Sequence, residues 1–412
     1  MLPRWVQEPL CRMLKVMPAV FVQGARQVGK TTLAQRLVEA GVMDAYYSFD
    51  DLALLRAAER DPKGFVENLP ERAVLDEVQR VPEVLLPLKQ RIDAQRKPGM
   101  FLLTGSASAL TFPQIADALV GRMAPIILYP LSQGEMEGVR ESWLQRAFEG
   151  DWQIQSVPAS DDLWLRVARG GYPEAVRLTD PQERTLWLRA YASTLVTREV
   201  SLLADIERAA DLGLLLTLLA SLTCQMLNMA SLSRETGIPH STLQRYLKLL
   251  EAVMIVVRVP AWHAHPHQQL LKTPKVMLND TGLATALLQH DADSLQRDPL
   301  LRGRMLENFV GMELLKQMSY ASEPYRLYHL RTSKGREVDF LIENAHGFLL
   351  GVEVKASATV DEDDFRHLRA IGEGFGTRWA GGVVLYTGTT LLPFGERLWA
   401  MPVSCLWQAW ER

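Results

Sequence analysis

The N-terminal part of the chain alternates short apolar runs with a stretch of helical periodicity. Runs typical of buried strands occupy residues 19–22, 46–50, 72–75 and 101–103. Between the first two runs, residues 32–40 carry leucines and a valine at helical spacing, and a glycine follows where a helix would stop. Strands that alternate with helices favour a doubly wound, parallel α/β sheet. Its functional site is expected at the carboxyl ends of the strands.

The middle of the chain has the pattern of a helical segment followed by a winged helix. Residues 184–203 are predicted to be helical. Farther on, a short helix is expected to end at Gly237, Pro239 blocks its continuation, and Ser241 can cap a second helix. The apolar residues of the second helix fall on one face, and they are Leu243, Tyr246, Leu247 and Leu250. Residues 252–259 then have the pattern of a β-wing.

The last part of the chain predicts a second α/β domain. Residues 303–318 have the pattern of an amphipathic helix, and strands are expected at 325–331, 337–342 and 348–355. The turn at 343–347 is short enough for a hairpin between the last two strands. Such a hairpin would bring acidic residues of both strands together.

A complete G-x-x-x-x-G-K-[ST] phosphate-binding loop follows the first predicted strand. Its glycines let the backbone wrap a polyphosphate with the N–H groups pointing inward. Lys30 would reach the β/γ-phosphates, the Thr31 hydroxyl would ligate Mg²⁺, and the helix that begins here adds its positive end. The residues expected to hold ATP are Gly24, Ala25, Arg26, Gln27, Val28, Gly29, Lys30, Thr31 and Thr32.

Downstream strand ends supply partners for this loop. Asp76 is predicted to hold Mg²⁺, and Glu77 to activate the attacking water. Thr104 or Ser106, at the tip of the next strand, could sense the γ-phosphate or orient the water. Arg122 follows a helix-like stretch at 114–120. It could stabilise charge on the transferring phosphoryl group, within the chain or from a neighbouring subunit, or it could form an ordinary surface salt bridge.

Two carboxylates and a lysine on the predicted C-terminal hairpin suggest metal-dependent phosphodiester hydrolysis. Alternate residues of a strand share a face, so Glu353 and Lys355 point the same way, and the hairpin could place Asp339 beside them. The acids would hold Mg²⁺, the metal would lower the pKa of a water, and the lysine would orient or activate it. The same residues also fit a salt-bridged pair of strand ends with no activity.

The second helix of the predicted winged helix could contact DNA through its polar face. The residues exposed for this contact would be Ser241, Thr242, Gln244, Arg245 and Lys248. Residues 225–258 carry a surplus of only two positive charges, counted as four arginines and lysines against two glutamates. Because phosphate contacts dominate affinity for DNA, a structural or protein-binding role stays open.

Composition limits the remaining function classes. The chain has 412 residues, which predicts two or three domains, and its net charge of −3 excludes a uniformly basic nucleic-acid coat. The three cysteines lie far apart and match no metal spacing, which favours the cytoplasm. Residues 212–233 lack charge, yet they hold too many polar groups for a comfortable membrane span. No membrane partner is expected.

Several motifs resemble those of a prokaryotic family of AAA-type ATPases. They lie at residues 22–31, 75–79, 103–106, 119–122 and 129–132. Members of that family carry a C-terminal domain of unknown function with a restriction-endonuclease-like fold. The resemblance favours a functional role for Arg122. Residues 275–283 are similar to a signature that links the winged helix to the last domain in the family, and they suggest no chemical role.

The D…E-x-K arrangement is similar to that of the restriction-endonuclease-like nucleases. Carried across by position, Glu307 would be the helix acid, with Glu313 as its rival. Asp339 and Glu353 would be the metal carboxylates, and Lys355 the catalytic lysine.

These inferences predict an α/β chain with five segments. They are an AAA-type ATPase core at 1–140, a linker and helical segment at 141–205, a winged helix at 206–262, a connector at 263–299 and a restriction-endonuclease-like domain at 300–412. The predicted function is an ATP- and Mg²⁺-dependent ATPase acting on DNA, with a C-terminal nuclease and with homo-oligomers as a further expectation. The alternative is a nucleotide-dependent switch or protein-binding module whose nuclease-like domain is inactive.

Overall fold

The computed structural model describes most of the chain in two compact units. It covers residues 2–106, 121–150, 152–157, 162–199, 209–264, 273–332 and 335–409. The N-terminal unit consists of Arg4–Pro130 and Ala252–Met254, and the C-terminal unit of Met1–Pro3, Leu131–Glu251 and Ile255–Arg412. The predicted helix-like stretch at 114–120 lies outside the described residues.

A five-stranded sheet forms the centre of the N-terminal unit. Its strands are β1 (Ala19–Gln23), β2 (Ala45–Ser48), β3 (Ala73–Asp76), β4 (Phe101–Gly105) and β5 (Met123–Ile127). They are ordered β2-β3-β4-β1-β5, and every neighbouring pair is parallel. The predicted parallel sheet is therefore confirmed. Burial of β1, β3 and β4 explains their continuous apolar runs.

Five helices accompany this sheet among the described residues. They are α1 (Gln7–Leu14), α2 (Lys30–Glu39), α3 (Leu52–Arg60), α4 (Pro62–Glu67) and α5 (Leu85–Gln95). The side chain of Asp51 caps α3, and Asp61 with Pro62 starts α4. Helix α2 begins two residues before its predicted start, because Gly29 at φ +98° ends the preceding loop. Lys30 and Thr31 therefore lie in the first turn of a helix.

The C-terminal unit contains a seven-stranded mixed sheet and a three-stranded sheet. The strands are β6 (Gln155–Ser156), β7 (Gln225–Met226), β8 (Val256–Val259), β9 (Lys275–Leu278), β10 (Tyr325–Arg331), β11 (Glu337–Asn344), β12 (Leu349–Lys355), β13 (Trp379–Tyr386), β14 (Thr390–Pro393) and β15 (Leu398–Pro402). The large sheet is ordered β10-β11-β12-β13-β15-β14-β6, and the small one β7-β9-β8. Strands β10, β11 and β12 are antiparallel neighbours, whereas β12, β13 and β15 run parallel. The predicted hairpin is confirmed.

Helices cover the C-terminal unit between and beside these strands. They are α6 (Gln133–Glu137), α7 (Trp143–Glu149), α8 (Leu163–Arg169), α9 (Pro173–Arg177), α10 (Pro181–Thr194), α11 (Ala209–Ser221), α12 (Met229–Thr236), α13 (His240–Ala252), α14 (Thr281–Leu287), α15 (Ala292–Arg297), α16 (Pro299–Tyr320) and α17 (Arg366–Phe375). The predicted helix at 184–203 corresponds to α10 and a π-helical turn, Leu195–Glu199, and its last residues, 200–203, lie outside the described ranges. The stretch expected as a linker contains α7, in which Trp143 is fully buried.

Three helices, α11 to α13, and two strands, β7 and β8, occupy the described part of the segment predicted as a winged helix. Helix α12 ends at Gly237, which has φ +71°, and Leu243, Tyr246, Leu247 and Leu250 are buried on one face of α13, as predicted. The expected cap at Ser241 is wrong. Helix α13 begins at His240, so Ser241 lies inside its first turn. The wing residues form β8, which pairs with β9.

A turn at residues 170–173 meets the family-like signature at 275–283 inside the C-terminal unit. The Asp280 carboxylate caps α14 by accepting a hydrogen bond from Leu283 N at 2.9 Å, and it accepts another from Gly171 N at 2.6 Å. A Cβ at Gly170 would lie 2.1 Å from Asp280 Oδ1, so glycine is required there. The Asp280 carboxylate therefore connects the turn at 170–173 to the signature at 275–283.

Within the described residues, no helix is both long and apolar enough to cross a bilayer.

Candidate functional site

The phosphate-binding loop joins β1 to α2 at the carboxyl end of β1. A Cβ at Gly24 would lie 2.3 Å from Leu128 O, so only glycine lets the loop pass that backbone. Gly29 adopts φ +98°, which favours glycine as well. Arg4 braces the loop from outside, donating to Val28 O at 2.6 Å and to Tyr129 O at 2.5 Å. The sequence pattern did not identify Arg4.

Lys30 is folded back into the loop. Its Nζ donates to Gly24 O at 2.9 Å and to Ala25 O at 3.0 Å, and the residue is 5% exposed. Lys30 thus occupies the position from which the lysine of a phosphate-binding loop reaches the β/γ-phosphates of a nucleotide. The cradle of N–H groups and the hydroxyl of Thr31 suit the same ligand together with Mg²⁺.

Asp76 ends β3 at the same edge of the sheet and is surrounded by hydroxyl groups. Its Oδ2 accepts from Thr31 Oγ1 at 3.0 Å and from the Tyr46 hydroxyl, and its Oδ1 accepts from Thr104 Oγ1. Burial and the bond to Asp76 raise the pKa of Tyr46, which therefore stays a neutral donor. The structure brings Thr31, Asp76 and Thr104 together, as oxygen ligands and their support would require.

Glu77 follows Asp76 in a strained, left-handed backbone conformation with φ +58°. Burial raises the pKa of Glu77, and the charge of Lys30 partly offsets this shift. Thr104 Oγ1 accepts from Glu77 N at 3.1 Å, so Thr104 holds both acids rather than standing free. The strain at Glu77 turns its side chain away from the strand direction and toward Gln79.

Gln79 is a site residue that the sequence analysis missed. Its Nε2 donates to the Glu77 carboxylate and to Ser106 Oγ, the latter at 3.1 Å, while its buried Oε1 has no hydrogen-bond partner. A Cβ at Gly105 would lie 2.9 Å from Gln79 Oε1, so the glycine admits the amide. The spacing of Gln79 two residues after Glu77 was the available signal.

Arg122 lies away from the loop. It precedes β5, and its backbone O accepts from Ala19 N at the beginning of β1, whereas the loop follows the end of β1. At about 3.3 Å per residue, the length of β1 therefore places the backbone of Arg122 about 13 Å from the beginning of the phosphate-binding loop. The guanidinium forms a bidentate pair with Asp93, with contacts of 2.6 and 2.9 Å. Arg122 thus forms the surface salt bridge that was the ordinary alternative, and its action on the phosphoryl group, within the chain or from a neighbouring subunit, stays a prediction.

The predicted acidic cluster is assembled in the C-terminal unit. The β11–β12 register pairs Phe340 with Val352, and the Asp339 Oδ2 accepts from Val354 N at 3.0 Å. Asp339 is thus beside Glu353, as the hairpin predicted. Lys355 Nζ lies 3.3 Å from Glu353 Oε1 and 3.6 Å from Asp364 Oδ1.

Lys275 stands among these acids and is the second site residue that was missed. Its Nζ lies 2.7 Å from Glu307 Oε1, 3.3 Å from Asp339 Oδ1 and 3.8 Å from Glu337 Oε1. Burial alone would lower the pKa of Lys275, but Asp339 and Glu307 more than offset it and raise the pKa. In the sequence, Lys275 is a single charged residue at the beginning of an otherwise apolar strand, and this pattern could have identified it.

The carboxyl groups of Glu307 and Glu353 have strongly raised pKa values. Burial and then the Asp339 charge raise the pKa of each carboxyl well above its usual range. The rival helix acid Glu313 is elsewhere, where it accepts from Gln133 N at 2.9 Å and pairs with Lys316 at 2.8 Å. Glu307 is therefore the helix acid that faces Asp339.

The three carboxylates predicted as metal ligands do not form a metal-binding set in this conformation. Across the described ranges, no group of three or more histidine, cysteine, aspartate or glutamate side chains is arranged to hold a metal ion. The reason is local, because the Lys275 ammonium lies between Glu307 and Asp339. Mg²⁺ therefore does not fit the cluster as it stands.

The predicted DNA-contacting residues lie on α13. Ser241, Gln244, Arg245 and Lys248 are exposed, and Thr242 is half-buried. Gln244 and Lys248, with Arg258 from β8, line a cavity of about 230 Å³ whose other walls are mostly apolar. Arg258 also pairs with Glu251, which reduces its free charge.

Comparison with protein families divides the chain into three matched segments. Residues 17–137 match the model of an AAA domain, residues 160–294 match a domain of unknown function (DUF8612), and residues 302–406 match another domain of unknown function (DUF4143). The AAA match coincides with the parallel sheet and the loop. Residues 17–137 therefore combine a sequence match to an AAA domain with a parallel sheet and a phosphate-binding loop.

Proteins of related sequence occur in bacteria. The chain is 29% identical over 351 residues to uncharacterised proteins of Mycobacterium tuberculosis and Mycobacterium bovis, covering 85% of this chain and 73% of each relative. An uncharacterised protein of Haemophilus influenzae is 25% identical over 278 residues, covering 65% of this chain and 62% of the relative.

Solved structures resemble the chain only loosely. A Walker-type ATPase of Pyrococcus abyssi is 16% identical, covers 68% of this chain and 94% of its own, and gives a TM-score of 0.42. AMPPCP-bound DnaA from Aquifex aeolicus is 14% identical, covers 60% of this chain and 85% of its own, and gives a TM-score of 0.30. Neither likeness is strong enough to bear on function.

Proposed function

We propose that this chain binds and hydrolyses ATP with Mg²⁺ and that it acts on DNA. The observation that carries the ATPase proposal is the convergence of Lys30, Thr31, Asp76 and Glu77 at the carboxyl edge of one parallel sheet, with Thr31 3.0 Å from Asp76. Charge stabilisation by Lys30 and positioning of water by Glu77 are the two requirements of phosphoryl transfer to water.

Each residue has a distinct role in this proposal. Lys30 leaves the carbonyl oxygens of Gly24 and Ala25 for the β/γ-phosphates. Thr31 and Asp76 hold Mg²⁺, which neutralises phosphate charge when bound. Glu77 accepts a proton from the attacking water, and its pKa, raised by burial, makes it a stronger base than an exposed glutamate.

ATP hydrolysis and nucleotide binding in three variants test this assignment. We expect Lys30→Ala to weaken binding of a fluorescent ATP analogue. We expect Glu77→Gln to bind ATP normally yet hydrolyse it about 10²- to 10⁴-fold more slowly, because a general base is lost. Lys63→Ala, an exposed lysine of α4, is the matched control and should behave as wild type. Normal turnover in Glu77→Gln would refute the role of that residue.

DNA is the proposed partner of helix α13. The support is the exposure of Gln244, Arg245 and Lys248 on one polar face while the opposite face is buried. Affinity should be modest, since few cations are present. Fluorescence anisotropy with labelled duplex and single-stranded DNA measures this binding, and the absence of binding to both at low salt would remove DNA as the partner.

The C-terminal domain offers two candidate functions. The D…E-x-K residues Asp339, Glu353 and Lys355 support a Mg²⁺-dependent nuclease. The position of Lys275 favours the second candidate, a nucleotide-dependent switch whose C-terminal domain does not cut DNA. For a nuclease, Lys355→Ala should abolish cleavage of duplex, single-stranded, branched or RNA substrates without changing ATP hydrolysis. Equal cleavage by the variant and wild type would sink the nuclease candidate. Absence of cleavage with intact hydrolysis supports the switch.

A further inference from the structure

The ammonium of Lys275 is fully used by the acidic cluster. It is one of the most buried charges of the C-terminal unit, with a side chain 3% exposed. An ammonium has three N–H donors. They are taken by Glu307 Oε1 at 2.7 Å, Asp339 Oδ1 at 3.3 Å and Asp339 O at 3.4 Å. Lys275 is therefore a buried member of the cluster, with all three N–H donors bound to its acids.

The backbone that carries Lys275 is anchored on the helix that carries Glu307. Strand β9 is the central strand of its sheet. The buried Asn308 side chain accepts from Leu278 N at 2.9 Å and donates to Leu278 O at 3.0 Å. A Cβ at Gly311 would lie 2.6 Å from Met277 Sδ, so strand and helix are packed closely. The backbone of Lys275 is therefore held in a fixed position relative to Glu307.

A divalent ion bound by Glu307 and Asp339 would occupy the space that the Lys275 ammonium fills. Mg²⁺ binds oxygen ligands at about 2.0–2.1 Å. An ion held jointly by Glu307 and Asp339 would lie within a few ångströms of Lys275 Nζ, where two positive charges repel strongly in a buried site. The buried Oε2 of Glu353 has no hydrogen-bond partner, so the cluster retains one open acceptor on its other side.

We propose that Lys275 is the built-in cation of this cluster, taking the place that a divalent metal would occupy between Glu307 and Asp339. The resting chain then has a nuclease-like constellation that does not take up metal. Removal of the ammonium converts the cluster into a divalent-metal site. This assignment rests on the second candidate function above, a C-terminal domain that does not cut DNA at rest.

Manganese binding tests the assignment directly. Full-length chain free of nucleotide is titrated with Mn²⁺ alone, and free Mn²⁺ is followed by electron paramagnetic resonance. We expect no stoichiometric binding in wild type. Lys275→Met should bind one Mn²⁺ at least about tenfold more tightly than wild type, because hard oxygen ligands are released from the ammonium. Lys275→Met/Asp339→Asn, the matched control, should lose that gain.

Two results overturn the proposal. One is stoichiometric Mn²⁺ binding by wild type that Asp339→Asn abolishes. The other is a folded Lys275→Met chain that binds Mn²⁺ no better than wild type. ATP hydrolysis and DNA cleavage are followed in the same samples, so failure of the nucleotide site or detection of a nuclease is seen separately from metal binding.

A double variant covers the case in which Lys275→Met does not fold. Removing Lys275 leaves several acids unpaired, which is strongly destabilising. Lys275→Met/Glu307→Gln removes one acid with the cation, so it should melt closer to wild type than Lys275→Met does. A double variant that folds no better than Lys275→Met contradicts the direct pairing of these residues.

Discussion

Gln79 and Glu77 are joined by a hydrogen bond from the Gln79 amide to the Glu77 carboxylate, and the same amide nitrogen donates to Ser106. The amide orientation follows from these partners, since the flipped amide would place two acceptors against each other. Gln79 therefore connects the end of β3 to the end of β4. Its Oε1 is buried and has no hydrogen-bond partner.

Gln79→Ala should reduce ATP hydrolysis by about tenfold or more while leaving ATP binding unchanged, because Glu77 loses the group that orients it. Steady-state hydrolysis and binding of an ATP analogue separate the two effects. Arg80→Ala is the matched control, since the neighbouring Arg80 pairs with Asp50 on the surface. Gln79→Glu should also be slow, because it places a second carboxylate against Glu77. A Gln79→Ala chain with wild-type turnover would remove Gln79 from the site.

Gly24→Ala should disrupt the phosphate-binding loop. The added Cβ would meet Leu128 O at 2.3 Å, so the loop must move, at a cost of about 1–3 kcal/mol. Thermal melting and ATP-analogue binding measure the loss of stability and of affinity. Gly213→Ala is the control, since nothing lies within 4 Å of its Cβ inside helix α11. That change should be neutral or stabilising.

Glu141 should make stability depend on pH near neutrality. Burial raises its pKa to about 7, and its Oε1 accepts from Ser132 Oγ at 2.6 Å and from Gly134 N at 2.9 Å. The folded chain therefore keeps a proton that the unfolded chain loses near pH 4.5. Between these values the unfolded state binds fewer protons, so the free energy of unfolding falls as pH rises and levels off above about 7.

Glu141→Gln should flatten that dependence, because the amide keeps the Oε1 acceptor without a titrating proton. The expected difference between low and neutral pH is roughly 1–3 kcal/mol. Melting curves of wild type, Glu141→Gln and the exposed control Glu149→Gln between pH 4.5 and 8 provide the comparison. Parallel curves for wild type and Glu141→Gln contradict the shift.

Arg245→Ala and Lys248→Ala should each weaken DNA binding about equally for all sequences and reduce the salt dependence by about one released counterion. Both side chains are exposed on α13. Anisotropy titrations at several salt concentrations give the slope. Arg234→Ala, an exposed arginine on α12, is the control that should keep the wild-type slope. Equal slopes in all four proteins would exclude phosphate contact by α13.

Local patterns were sufficient for several features and insufficient for others. The buried face of α13 follows from the helical spacing of apolar residues, a pattern that acts over a few positions. The position of Arg122 was not predicted, because the motif shows only that an arginine follows a connection between strands. It does not show at which edge of the sheet that arginine lies. Ser241 was misplaced by one or two residues, since helix starts depend on where the preceding turn closes.

The sequence alone determined the phosphate-binding loop, the acids after β3 and the hairpin that places Asp339 beside Glu353. In each case the required geometry is encoded by neighbours in the chain, through glycine conformations, strand alternation and a short turn. Only the tertiary structure decided that Gln79 holds Glu77, that Glu307 rather than Glu313 faces the cluster, and that Lys275 lies between the acids. Lys275 and Asp339 are 64 positions apart. Their contact depends on packing β9 against α16 and the β11–β12 hairpin, an arrangement that no local pattern specifies.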